Sequence, residues 1–456
     1  MDLPPATSSY PPPARLDLWS VTWPLLLSLT LSLSLNFVDS FFLARISDRA
    51  AAATGALFPL LGATLVVFIA VGQAGASVAS QLIGARRYAD VPVTYLALVA
   101  FNLALGALTS LFFFSLRHVL PAWLGLAGSL REDAATYLGV LGSFQFLKAT
   151  QIAYGNIMNS RGQTKWVLVE ALLTNVCNVG LNLVFLHGAF GVPRLGVAGV
   201  ALSTVLSLGV GLAFTVCVAH LRLRIRFPRR LPPGHFAQRL KQVLAIGLPS
   251  ALEPISYQCS QLVVNALVIS WGAQALAART YVINFVTVTT ILWGAAFGIG
   301  TQVLIAHRVG AQNFADANAQ MSKGLKITIL GNLTIAGLLA VFHRPLLATL
   351  TSDPKILELA APLFLLGILV EPCRAVNIVA GGALRSSGDA RYTALVGTVM
   401  MWSVGVPACY LFGSRLGYGL PGVWLGLGLD ELARGLVNYR RWRIGRWKDF
   451  GVAKAA

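Results

Sequence analysis

Asp39 is a carboxylate within an unbroken apolar stretch from Leu18 to Leu43. Even on gentle insertion scales an ionised Asp deep in a bilayer costs about 2.5–3.5 kcal/mol, so such a group needs a partner or a purpose. Asn178 and Asn182 stand four residues apart in another apolar stretch and so share a helix face. At about 1.5 Å per residue, Asp39 and Asn182 lie roughly 7–10 Å below the outer ends of their helices, with Thr204 only slightly deeper. Carboxylate, amide and hydroxyl oxygens at one depth suit a hard cation such as Na+. A desolvated carboxylate can instead take up a proton. An ordinary hydrogen-bonded contact between membrane helices uses the same residue types, so three readings stand open.

The second half of the chain has its own acids. Glu253 follows Pro249 by one turn and has no cation near it in sequence, which reads as a group that attracts a cationic substrate or titrates. Glu371 and Arg374 are spaced to meet on one helix face, as a structural or a gating ion pair, and with Glu253 they suggest an acidic, adjustable cavity wall. Pro24 and Pro372 are the hinge candidates, because a proline removes a helix hydrogen bond and leaves a carbonyl free. Three further acids read as structural. Asp389 is expected to cap a helix at a turn, Asp430 to pair with Arg434, and Glu170 to reach the interface or neutralise Lys165 and Arg161.

The elements that hold these residues must be membrane helices. Hydrophobic residues make up 56% of the chain and charged ones 11%, with a mean hydropathy of +0.70. A helix needs about 20 apolar residues to cross the hydrocarbon core. Twelve stretches qualify: 17–44, 51–80, 92–116, 134–158, 166–188, 196–220, 243–270, 280–306, 322–342, 356–384, 392–413 and 420–438. The run Ser28–Leu35 alternates like a strand, yet a lone strand cannot satisfy its backbone in lipid, so it too is expected to be helical. The predicted class is an all-α polytopic membrane protein of two pseudo-symmetric six-helix lobes.

The symmetry is written in the residues. Gly72, Gly84, Ala85 and Asp90 return as Gly298, Gly310, Ala311 and Asp316, and Gly196, Gly199 and Val200 as Gly419, Gly422 and Val423. Repeated membrane halves are the architecture of alternating access. The expected organisation is a disordered, Pro- and Ser-rich cytoplasmic tail over 1–16, an N-lobe over 17–221, a basic cytoplasmic linker over 222–242, a C-lobe over 243–439 and a basic cytoplasmic tail over 440–456. Cations crowd one side of this topology, from Arg86 and Arg87 through the Arg222–Lys241 cluster to Lys454, which makes that side cytoplasmic and both termini cytoplasmic. The expected location is the plasma (inner) membrane. The first apolar run is too long for a cleaved signal peptide and lacks a small-residue cleavage site.

The net charge of +18 does not point to nucleic acid, because the basic residues sit in short loops at helix ends, where membrane lipids are the expected contact. The five cysteines fall inside predicted helices without metal-ligand spacing, and the histidines at helix ends. No H-E-x-x-H, G-x-S-x-G or P-loop motif is present, so no catalytic residues, enzyme activity or cofactor are expected.

Between residues 17 and 448 the chain resembles the multidrug and toxic compound extrusion (MATE) family. The resemblance rests on the spacing of Pro24 and Asp39, Gln81-Leu-Ile-Gly84-Ala85, Asn178-Val-Gly-Leu-Asn182, Leu195-Gly-Val-Ala-Gly199 and Leu384-Arg385-Ser-Ser-Gly388-Asp389. It implies two lobes arranged in a V, and a monomer that exports organic cations or amphiphilic drugs against inward Na+ or H+. It also implies a coupling-cation site on Asp39, Asn178, Asn182 and Thr204. Asn182 departs from the branch that carries aspartate there, and asparagine is more frequent among sodium-coupled members. The rival expectation is a flippase for a lipid-linked or polyprenyl-linked sugar, which needs a cationic cavity where this chain places mostly acids.

Overall fold

The computed structural model describes residues 16–191, 193–228 and 232–451. The expected tail over 1–16 lies outside these apart from Leu16. Eighteen α-helices follow one another, with no strand among the described residues. They are α1 Leu18–Ile46, α2 Asp48–Gly55, α3 Phe58–Gly84, α4 Val91–Leu116, α5 Val119–Trp123, α6 Gly128–Leu141, α7 Gln145–Ser160, α8 Thr164–His187 and α9 Gly196–Cys217. Then come α10 His235–Ile269, α11 Ala273–Val282, α12 Val288–Gly310, α13 Phe314–Val341, α14 His343–Ala348, α15 Pro354–Ser386, α16 Ala390–Met400, α17 Val406–Tyr410 and α18 Gly419–Ile444.

Nine helical stretches among the described residues are long and apolar enough to cross a membrane. Three others of similar length, over 128–160, His235–Ile269 and Gly419–Ile444, are more heavily charged, with residues that include Lys148, Glu253, Asp430, Glu431 and Arg434. The protein is a multi-pass helical membrane protein.

The strand-like run in α1 shows how the sequence reconciles alternation with a helix. Ser28, Thr30, Ser32 and Ser34 each donate to a carbonyl three or four residues back, at 2.8–2.9 Å, so no hydroxyl meets lipid without an acceptor. Large apolar side chains face outward instead, as with Phe37 at 70% exposure and Leu108 at 64%, the reverse of a water-soluble protein.

Several expected spans are interrupted. The second breaks between α2 and α3, where Gly55 ends one helix and Pro59 sits in the first turn of the next. The fourth is α6 and α7 joined by a 3₁₀ turn, Gly142–Phe144, and the eighth is α11 and α12 joined by a π-turn, Ile283–Thr287. The eleventh contains two π-turns, Met401–Gly405 and Leu411–Arg415.

The chain divides into two compact units. One holds residues 23–79 and 87–247, the other 16–22, 80–86 and 248–451. In the first, α8 packs on α9, α4 on α7 and α6 on α9, around Phe42, Leu57, Phe113, Tyr137 and Leu138. In the second, α15 packs against α12, α13 and α18.

The described parts of the basic segments flanking this second half are tied down by specific contacts. Arg239 is buried and pairs with Asp90 at 2.8 Å, alongside Arg87 at 2.7 Å and His235 at 2.9 Å. Burial alone would raise the Asp90 pKa, but Arg239 and Arg87 hold it below its ordinary value. Past Arg440 the chain is helical to Ile444 and again over Arg446–Asp449, where Trp447 is fully buried, stacks on Trp442 at 4.1 Å and donates to its carbonyl.

The repeat has a structural meaning in the second unit, where the end of α3 crosses the end of α12 backbone to backbone. A Cβ on Gly310 would sit 1.9 Å from the Gln81 carbonyl oxygen, and one on Gly84 would sit 2.0 Å from that of His307. Gln81 and His307 occupy the same place in the two halves, so the contact is reciprocal. Gly310→Ala and Gly84→Ala should each lower stability in detergent by about 1–3 kcal/mol, the usual cost of forced overpacking. Gly337→Ala, whose added carbon meets nothing within 4 Å, should not. Thermal melts followed by size-exclusion fluorescence check this, and an unchanged melt for Gly310→Ala would refute the close crossing.

Candidate functional site

In the first unit α1, α8 and α9 bring Asp39, Asn178, Asn182 and Thr204 together. Asp39 Oδ1 accepts from Asn178 Nδ2 at 3.0 Å and from Asn182 Nδ2 at 3.3 Å, and Oδ2 accepts from Thr204 Oγ1 at 2.7 Å. Asp39 is 4% exposed and has no ion-pair partner among the described residues. Hydrogen bonds to a charged group contribute about 1.5–3 kcal/mol each, so three neutral donors are enough to hold the carboxylate there.

The cluster has spare acceptors. Asn182 also donates to Asn178 Oδ1 at 3.0 Å, while its own Oδ1 is buried with no hydrogen-bond partner. Thr204 Oγ1 lies 3.1 Å from the Val200 carbonyl, a second place for its proton. Asn175, one turn before Asn178–Val179, ties the same helix pair further along by donating to the Leu31 carbonyl at 3.1 Å.

Two charged residues near this cluster behave differently from what the sequence implies. Glu170 does not reach toward Lys165 or Arg161; it turns inward and accepts from Thr174 at 2.7 Å and from Gln151. Gly211 on α9 makes the room, since a Cβ there would lie 2.7 Å from Glu170 Oε1. Lys148, in the first turn of α7, lines the same cavity as Asp39, and sequence reasoning passed over it. A lysine inside an apolar span was the signal available.

The second unit gathers its acids around arginines. Glu371 Oε2 accepts from Thr290 Oγ1 at 2.6 Å and from Arg374 Nε at 3.0 Å. Arg374 reaches Glu431 at 3.4 Å, and Arg434 joins Glu431 at 3.2 Å to Asp430 at 2.7 Å. Asn377 donates to Glu431 Oε2 at 2.9 Å. Glu253, expected to lack a cation, has two: Arg385 at 2.9 Å and Arg434 at 3.4 Å. Both come from other helices, which is why local sequence hid them. Asp389 stands at the start of α16 but makes no side-chain cap, pairing instead with Arg441 at 2.8 Å. Pro24 and Pro372 sit inside α1 and α15, each of which continues through its proline as one helix.

Two helical units with ionisable groups buried in their apolar spans define a polytopic integral membrane protein. The MatE family model matches residues 24–184 and 249–411. The chain belongs to that family, whose members are transporters. It is 32% identical over 438 residues to the uncharacterized transporter YisQ of Bacillus subtilis, covering 96% of each chain. It is 25% identical over 449 residues to the probable multidrug resistance protein NorM of Thermotoga maritima, covering 97% of this chain and 95% of the other. In fold the chain is similar to a solved multidrug resistance MATE family transporter, itself described in an outward-facing conformation, with a TM-score of 0.88, 18% identity and coverage of 98% of this chain and 100% of the other.

Arg434 is the hub of the second unit's network, so Arg434→Gln leaves Asp430, Glu431 and part of Glu253 without their shared cation. Stability in detergent should fall by about 3–5 kcal/mol. Glu253→Gln should cost less, because Arg385 keeps 22% of its side-chain surface exposed. Equal melting temperatures for Arg434→Gln and the parent would show that the network contributes no stability.

Proposed function

We propose that the chain is a secondary active antiporter that exports organic cations or amphiphilic drugs in exchange for Na+ or H+, through alternating access of its two halves. The observation that carries this reading is the state of Asp39: a buried carboxylate held by neutral donors alone, beside the unsatisfied Oδ1 of Asn182. A charge stabilised in this way retains its attraction for a cation, which an ion-paired acid has already spent.

Either coupling ion finds its chemistry in these residues. Na+ would be carried as cargo by the Asp39 carboxylate, the hydroxyl of Thr204 and the amide oxygens of Asn178 and Asn182 after their amides rotate. A proton would settle on Asp39 Oδ2 and reverse the bond to Thr204 Oγ1, whose own proton then turns to the Val200 carbonyl 3.1 Å away. Na+ binding would turn the amide donors of α8 away from α1, whereas a proton would reverse the bond between α1 and α9, and Pro24 gives α1 a point at which to bend. Pro372 is the corresponding hinge of α15, and Glu253, Glu371 and Arg374 form the charged wall of the second half. Coupling follows where ion and substrate prefer different arrangements of the helices. We assign the protein to the plasma membrane as a monomer among lipids, with both termini cytoplasmic, on the crowding of its cations toward that side.

The test is efflux of a fluorescent cationic dye from proteoliposomes under an imposed Na+ gradient and then a proton gradient. One gradient should drive efflux in the parent, and Asp39→Asn should abolish it. Full-rate uphill export by Asp39→Asn would disprove the mechanism.

A further inference from the structure

The second unit has a cavity that its network of acids does not reach. It holds about 290 Å³, at the small end of ligand sites, between the start of α13 and the end of α18. Its polar lining comes from the side chains of Asn318, Ser322, Tyr439, Arg443 and Lys448, and no Asp or Glu contributes to it. Asn318 Oδ1 already accepts from Trp442 Nε1 at 2.8 Å, which leaves the amide nitrogen as its free end. Neither Arg443 nor Lys448 makes an ion pair among the described residues, whereas the neighbouring Arg441 is paired with Asp389. A lining of two unpaired cations, an amide and two hydroxyls that can donate calls for an anion with several acceptor oxygens.

The local fold builds this arrangement. Gly445 ends α18 at a φ of 83°, a left-handed turn that glycine takes without strain. The chain then folds back, so that the end of the Lys448 side chain lies 3.5–3.6 Å from the place of a Gly445 Cβ. Lys448 Nζ stands over the Phe314 ring at 5.6 Å, and the buried, stacked rings of Trp442 and Trp447 make a firm wall.

Position identifies the source of the anion. Ser322 opens the expected span 322–342 and Arg443 lies just past the expected span 420–438, which sets the cavity at the membrane boundary. Leu436, Leu432 and Leu429 precede Arg443 by seven, eleven and fourteen residues, the spacing of one helix face, and all three are exposed. Leu330 and Leu333 follow Ser322 on α13 by eight and eleven residues and are exposed as well. From Arg443 to Leu429 the apolar face runs roughly 21 Å, against about 15 Å of hydrocarbon in one leaflet. A free phosphate would use the donors alone, whereas a phospholipid uses the donors and the leucines together.

We infer that this cavity binds the phosphate of an anionic glycerophospholipid, whose acyl chains lie along the leucine faces of α18 and α13. The site shares no residue with the antiport cycle and does not rest on it.

The full chain in detergent can be titrated with phosphatidylglycerol, with phosphatidylcholine of the same acyl chains and with glycerol 1-phosphate, and binding counted by native mass spectrometry. The parent should bind phosphatidylglycerol about tenfold more tightly than phosphatidylcholine, the scale of one charge-assisted contact, and glycerol 1-phosphate far more weakly than either. Arg443→Gln combined with Lys448→Gln should bring the ratio of the two lipids below twofold. Arg440→Gln combined with Arg446→Gln removes the same charge from exposed residues outside the cavity and should leave the ratio near tenfold. Equal affinities for the two lipids in the parent would overturn the inference. So would a ratio that falls equally in both double variants, which is diffuse attraction, or one that survives in the first. Glycerol 1-phosphate binding as tightly as phosphatidylglycerol would make this a site for free phosphate and refute the lipid. The parent's own selectivity decides even where a variant does not fold.

Discussion

A carboxylate taken out of water must be stabilised by something, and the two units of this protein use different partners. Asp39 is surrounded by amide and hydroxyl donors, which lower the cost of its charge without cancelling it. Glu253, Glu371, Asp430 and Glu431 are instead held by Arg374, Arg385 and Arg434. Neutral donors leave a site that still attracts a cation. Guanidinium groups leave a tie between helices, here joining α10, α15 and α18, whose cost of breaking is large because each loss strands a buried charge.

This difference is laid over a shared scaffold. Gly84 and Gly310 exchange close backbone approaches with His307 and Gln81, which only equivalent positions of a repeat can do reciprocally. Asp90 and Asp316, also repeat mates, stand at the starts of α4 and α13 and both pair with arginines, Arg87 and Arg239 for the first and Arg308 for the second. The packing positions kept their roles in both halves while the polar interiors diverged. That pattern fits a fold whose crossing points are fixed by sterics and whose chemistry is free to vary between spans.

How much of this the sequence exposed depended on the distance over which each interaction acts. The Asp39 cluster was legible because Asn178 and Asn182 announce a common face at four-residue spacing, and because depth below a helix end can be counted along the chain. The Glu371–Arg374 and Asp430–Arg434 pairs were legible for the same local reason. Glu253 was misread because its cations lie 132 and 181 residues away, on helices whose facing no local pattern gives. Glu170 turned inward because Gly211 opened space for it, a fact about α9 and not about its own helix. Lys148 was passed over because the span holding it is broken by a 3₁₀ turn and weighted with polar residues, so its membrane depth was hard to place.

The energetics favour Asp39 over the arginine network as the place where an ion acts on conformation. Moving a two-state equilibrium from 1:99 to 99:1 takes about 5.5 kcal/mol of differential binding. Neutralising an uncompensated buried carboxylate changes the local balance by several kcal/mol and, through Asn178, Asn182 and Thr204, acts at once on α1, α8 and α9. An ion approaching Glu371 or Glu431 must first displace an arginine at 3.0–3.4 Å, so much of its gain is offset by the cation it strands. A switch built on Asp39 therefore needs only the rearrangement of neutral donors that already have alternative partners: the Val200 carbonyl for Thr204 and the open Oδ1 of Asn182 for an arriving cation.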